Sequence, residues 1–86
     1  MKAFQIPCIK GNATLFAGPL GPQILTNKRT RKDSLSWSLG DENTVYLKGL
    51  YRGRYGDAKC TISELLRALH AIGATEEANR LNRATL

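Results

Sequence analysis

Two basic segments carry most of the chemistry this sequence could perform. The run Leu50-Tyr51-Arg52-Gly53-Arg54-Tyr55-Gly56 spaces two arginines by one glycine and flanks them with tyrosines. Guanidinium groups offer paired N–H donors that match phosphate oxygens, and tyrosine rings offer stacking faces to unpaired bases. Gly53 and Gly56 permit close backbone approach or positive φ. The second segment places Lys28, Arg29, Arg31 and Lys32 within 27–33, where no side chain is apolar. Such a loop is solvated and can follow a phosphate backbone without reading its sequence.

Each segment also has a plainer reading. Tyr51 and Tyr55 could cap the edge of the core in a strand-to-helix connection whose Arg52 and Arg54 simply face water, and 28–32 could be a hydrated loop. If both segments lie on one face they make a continuous patch, and the plainer readings weaken together.

Other chemistry finds less support. His70 is the only histidine and stands beside an apolar stripe, with no carboxylate or nucleophile at an evident spacing. Cys8, Cys60 and His70 lack Cys-x-x-Cys or His-x-x-x-His spacing, so no zinc site is expected. The two cysteines fall at apolar-pattern positions, and without a secretion signal they read as buried free thiols rather than a disulfide. No phosphate-binding loop, Gly-x-Ser-x-Gly elbow or paired carboxylates are present, and Gly18-x-x-Gly21 comes with prolines and reads as a turn. The chain is therefore expected to be no enzyme and to need no cofactor.

The elements that must position the basic residues follow from size and pattern. Eighty-six residues make one small domain over 1–86, able to bury a single modest core. Hydrophobic and charged contents of 42% and 23% are those of a globular protein, while a net charge of +6 favours polyanionic partners or, more plainly, solubility. No apolar run reaches the roughly 20 residues of a membrane span, and 1–7 has no signal-peptide core, so a cytoplasmic protein away from membranes is expected.

Residues 3–9 alternate with Phe4, Ile6 and Cys8 on one face, an edge strand given Pro7. After the Lys10-Gly11-Asn12 turn, 13–17 forms a hairpin with it. Gly18-Pro19-Leu20-Gly21-Pro22 breaks regular structure, and 23–26 is a brief strand. Serine and apolar residues alternate strictly over 34–39, which turns Leu35, Trp37 and Leu39 inward and makes Trp37 a core aromatic. The strand over 44–51 returns. Pairing Leu39 with Val45 and Trp37 with Leu47 leaves Ser36, Ser38, Tyr46 and Lys48 towards solvent, whereas a one-residue slip mixes the faces. Gly49 is a natural bulge site.

Over 61–86 two short helices meet at Gly73. Thr61 and Glu64 form a capping box, with Cys60 and Leu65 at the staple positions, and Ile62, Leu65, Leu66, Leu69 and Ile72 form one stripe. Gly73 ends this helix and Thr75 caps the next, with Glu76 and Glu77 in its first turn. A helix-turn-helix DNA reader fits poorly. Asn79 falls where an inward apolar residue is needed, and the acidic pair leads the second helix.

The expected fold is α+β, mostly β over 1–58 and a helical pair over 61–86. An antiparallel sheet of four to five strands is followed by two C-terminal helices packed on one face. The expected function is a small basic module that engages nucleic acid or a nucleoprotein through Lys28, Arg29, Arg31, Lys32, Tyr51, Arg52, Arg54 and Tyr55. The alternative is a protein-binding inhibitor or adaptor, of the phage or plasmid accessory type, acting on an acidic protein surface. A homodimer through a free strand edge stays open.

Overall fold

The computed structural model describes residues 3–26, 33–48 and 58–86. Seven strands precede two helices: β1 (Ala3–Ile6), β2 (Ala13–Gly18), β3 (Gly21–Thr26), β4 (Asp33–Ser34), β5 (Ser36–Leu39), β6 (Thr44–Lys48), β7 (Ala58–Thr61), α1 (Ile62–Ala71) and α2 (Thr75–Ala84). The α+β class and the C-terminal helical pair stand as the pattern predicted. The single sheet does not. The strands form two antiparallel sheets, ordered β1-β2-β3-β4 and β5-β6-β7.

One run of chain serves both sheets. Asp33 and Ser34 pair with Ile24 and Gln23, and Leu35 N–H donates to Pro22 O at 3.0 Å. From Ser36 onward the same run pairs with β6 instead. At the opposite edges Lys10 bridges to Lys59 of β7. The strands thus follow one another round a nearly closed ring, which leaves few unpaired edges.

Register keeps the apolar residues inside. In the first sheet Ile6, Ala13 and Thr26 face one another across three strands, with Leu15 and Ile24 beside them. In the second, Trp37 pairs with Leu47, and Leu39 with Val45, the choice that gave an apolar face in sequence. Ala58 and Cys60 extend these rows on β7. The inward residues of both sheets join Leu65, Ala68, Leu69, Ile72, Ala78 and Leu81 of the helical region in one core. Leu39, expected inside, is 47% exposed, because it ends its strand beside the Gly40–Asn43 turn.

Other boundaries also move. Gly21 and Pro22 belong to β3, paired with Gly18 and Ala17, so only Pro19 and Leu20 lie between β2 and β3. A Cβ on Gly18 would sit 2.7 Å from Gly21 O, which makes glycine obligatory at this close approach. β7 was not expected as a strand. Ala58-Lys59-Cys60-Thr61 has weak strand propensity and is held by pairing with β6. The loop expected over 27–33 gives way by Asp33, which pairs with Ile24 in β4. Its part over 27–32, the strand extending to 51 and the bulge at Gly49 lie outside the described residues.

The helices stopper one end of the ring. Ile62 N–H at the start of α1 donates to Asn43 O in the β5–β6 turn, and α1 packs against β1 and β7. Residues 72–77, between and at the start of the helices, face the β2–β3 turn across a cleft. Packing lies at this end rather than on one face of a single sheet. Thr61 Oγ1 accepts from Glu64 N–H at 3.2 Å, and Cys60 and Leu65 are fully buried, as cap and staple require. Glu64 makes no reciprocal bond, and its Oε2 is buried without a partner. Gly73 has φ +81°, the left-handed terminator. The cap of α2 is Ala74, without a side-chain bond, and Thr75 is already helical. Among the described residues no helix is long and apolar enough to cross a membrane.

Candidate functional site

Lys28, Arg29, Arg31, Lys32, Tyr51, Arg52, Arg54 and Tyr55 all lie outside the described residues. The strand ends that flank their segments are described, and register fixes where those ends stand. β3 ends at Thr26, paired with Ala13, and the next described residue, Asp33, pairs with Ile24. β6 ends at Lys48, paired with Ser36, and β7 begins at Ala58, paired with Leu47. Asp33 and Ser36 are three residues apart on one continuous run, about 10 Å at the strand rise. Ala13 in turn follows the Lys10–Asn12 turn. The flanks of both basic segments and the turn bearing Lys10 therefore occupy one end of the ring. The helices and the two short turns, Pro19-Leu20 and 40–43, occupy the other.

A described basic face adjoins this end. Ser38, Tyr46 and Lys59 stand in one row across β5, β6 and β7, and the bridge to Lys10 continues the row. Trp37, Leu47 and Ala58 take the opposite face, so the Tyr46 row looks outward, as the preferred register required. The Lys59 ammonium lies over the Tyr46 ring, 5.4 Å from its centroid. A Cβ at Gly40 would come within 2.9 Å of Tyr46 Cε2, so the glycine lets the ring lie close to the turn. Lys48 holds the register position opposite Ser36 in the neighbouring row. Sequence reasoning placed Tyr46 and Lys48 towards solvent but missed Lys10 and Lys59, because β7 and the bridge closing the ring were not visible in it.

The inner face of the same sheet carries a different cluster. The Trp37 indole N–H donates to Glu77 Oε2 at 2.8 Å, and Arg80 Nε donates to the same oxygen at 3.0 Å. The Arg80 guanidinium also lies 4.9 Å from the Trp37 ring centroid. Burial raises the Glu77 carboxyl, but the hydrogen bonds from Arg80 and Trp37 and the Arg80 charge outweigh it, so the net shift is downward. Trp37 is therefore half-buried against the core, with its polar edge fastened to α2 rather than enclosed. The single tryptophan joins the sheet to the second helix.

A cleft of about 440 Å³ separates the β2–β3 turn from the start of α2. Ala17, Pro22, Ile72 and Ala74 give it an apolar lining, and Glu76 and Glu77 are its titratable groups. Leu20 projects fully into solvent at its rim, a large apolar side chain without cover among the described residues. His70 is exposed on α1, as its place beside the stripe implied. Comparison of the chain with known protein families, characterised proteins and solved structures finds no match.

Proposed function

We propose that this chain is a small non-catalytic module that binds nucleic acid, free or within a nucleoprotein, through the end of the ring opposite its helices. The observation that carries the reading is the common end of the strand termini flanking 27–32 and 49–57. Lys28, Arg29, Arg31, Lys32, Arg52 and Arg54 belong to those two segments, and Lys10 and Lys59 adjoin the same end. Clustered cations of this kind gain affinity by displacing counterions from phosphates, which makes binding strongly salt-dependent. Tyr51, Tyr55 and Tyr46 add ring faces suited to unpaired bases. The Leu20 cleft favours the second reading, an adaptor or inhibitor that docks on another protein.

Fluorescence anisotropy with labelled single- and double-stranded DNA and RNA at ~50 and ~200 mM salt tests the proposal. Micromolar or tighter binding is expected at the lower salt, falling by tenfold or more at the higher. An Arg52→Ala/Arg54→Ala variant should weaken binding and flatten the salt slope by about 2. Absence of binding to all four probes at ~50 mM salt would remove this reading and leave the Leu20 cleft as the surface to pursue.

A further inference from the structure

The two cysteines, distant in sequence, flank the bridge that closes the ring, Cys8 two residues before Lys10 and Cys60 next to Lys59. Lys59 O accepts from both Ile9 N–H, at 2.7 Å, and Lys10 N–H, at 3.2 Å, while Lys59 N–H donates to Lys10 O at 2.9 Å. Two residues facing one across a hydrogen-bonded pair make a β-bulge. The bulge accounts for the exposure of both Ile9 and Lys10, which alternation alone would place on opposite faces. It also resets the pairing beyond it. Counted without the extra residue, the register sets Ile9 against Cys60; counted with it, the register sets Cys8 there. Cys8 packs against the core and Cys60 lies within it, so both point to the inner side.

One residue past a hydrogen-bonded antiparallel pair comes a non-hydrogen-bonded pair, where opposing Cα atoms approach to about 4.5 Å and the side chains are closest. Disulfides span Cα separations of about 4.4–6.8 Å. Both thiols are free in this structure. We propose that Cys8 and Cys60 form an oxidisable cross-strand dithiol whose disulfide locks the seam between the first strand and β7. The nucleic-acid reading is not needed for this assignment, although the lock would also fix Lys10 beside Lys59.

The chemistry balances with a low-molecular-weight disulfide, such as oxidised glutathione, as oxidant. The Cys8 thiolate, on the more exposed sulfur, attacks one glutathione sulfur and expels the other as a thiolate, leaving a mixed disulfide on Cys8. The Cys60 thiolate then attacks the Cys8 sulfur and expels the second glutathione. Two electrons pass from the protein to the oxidant, and the two thiol protons end on two molecules of reduced glutathione. Burial, then the neighbouring Cys8 and Glu64 charges, push the Cys60 thiol up to about 12, and burial also raises Cys8. Few thiolates exist at neutral pH, so oxidation is slow there and quickens as pH rises. The influence of Cys8 on Cys60 also agrees with their placing across the seam.

The test incubates the reduced full chain with oxidised glutathione at mildly alkaline pH, then quenches with acid, alkylates and maps peptides by mass spectrometry. A monomer lighter by two hydrogens, with the Cys8 and Cys60 peptides linked, is the expected product. Its thermal midpoint should lie roughly 10 °C or more above that of the dithiol form, because the link closes a long loop in the unfolded chain. Cys60→Ser should stop at a glutathione adduct on Cys8. A wild-type chain that keeps that adduct, links only between molecules, or remains a dithiol under excess oxidant would overturn the assignment. The wild-type result decides even where the variant does not fold.

Discussion

Trp37 and Tyr46 sit on neighbouring strands of one sheet, point to opposite faces, and each has a cation over its ring. Arg80 lies 4.9 Å from the Trp37 centroid and Lys59 lies 5.4 Å from that of Tyr46. The difference is a carboxylate. Glu77 accepts from both Trp37 and Arg80, so that cluster closes on itself, with its charge balanced. Among the described residues Tyr46 and Lys59 have no such third member, and the Arg80–Glu77 pair is the only ion pair. One aromatic–cation pair fastens a helix to a sheet. The other leaves positive charge on an outward face, where a polyanion can complete it. Geometry alone would class them together, and the charge balance separates them.

The largest effect that could break this contrast is on stability. Trp37→Ala removes the packing beneath α2 together with the donor that Glu77 accepts, and should cost about 2–4 kcal/mol in denaturant unfolding. Tyr46→Ala removes an outward ring and a cross-strand pair, and should cost about 1 kcal/mol or less. Equal losses would mean that both rings serve the core and that the outer face is no freer than the inner.

Glu77→Gln sharpens the comparison by removing the charge while keeping an acceptor for the indole. A loss of roughly 1 kcal/mol at neutral pH is expected, since a bond to a charged acceptor becomes a neutral one. The pH dependence has a definite sign. The folded-state carboxyl lies below its ordinary value of 4.5, so its contribution is present above that pH and is lost as pH falls through the lowered value. Wild type should therefore lose stability relative to Glu77→Gln below about pH 4.5. Trp37 is the sole tryptophan, so its fluorescence reads the cluster directly during acid titration. A constant difference between the two proteins across that range would show that the charge plays no part.

Much of this arrangement was legible beforehand, and the gaps have physical causes. The Ser/apolar alternation over 34–39 fixed which side of β5 and β6 faces inward, because a one-residue slip would exchange every side chain. Thr61, Glu64 and Gly73 marked the ends of α1, since caps and terminators are local. Leu35, where one run leaves the first sheet for the second, carries no glycine, proline or change of period to announce the switch. The bulge at Ile9 and Lys10 was not legible, since Ile9 is apolar and its exposure shows only in the structure, and its partner on β7 is nearly fifty residues away and weak in strand propensity. Lys10 and Lys59 entered the candidate face only through that non-local pairing. Glu77 read as a dipole-complementing residue of α2, and nothing in its spacing tied it to Trp37.

The smallest stability effect gives the most selective test. Arg80→Ala and Lys59→Ala each remove one cation from a ring and should change stability by about 0.5 kcal/mol or less, as surface charges do. Arg80 is 59% exposed and Glu77 already engages it, so its removal withdraws one charge and frees another of opposite sign. Lys59→Ala withdraws a charge that no described carboxylate balances. The two variants should thus be alike in denaturant and unlike in a polyanion titration. Lys59→Ala should reduce the slope of log K against log salt by about 1, while Arg80→Ala leaves it unchanged. Equal slopes for the two variants would mean that the carboxylate does not decide which cation is open to a partner. Tyr46 and Lys59 would then be a structural pair that happens to face outward, and the binding surface would have to lie elsewhere.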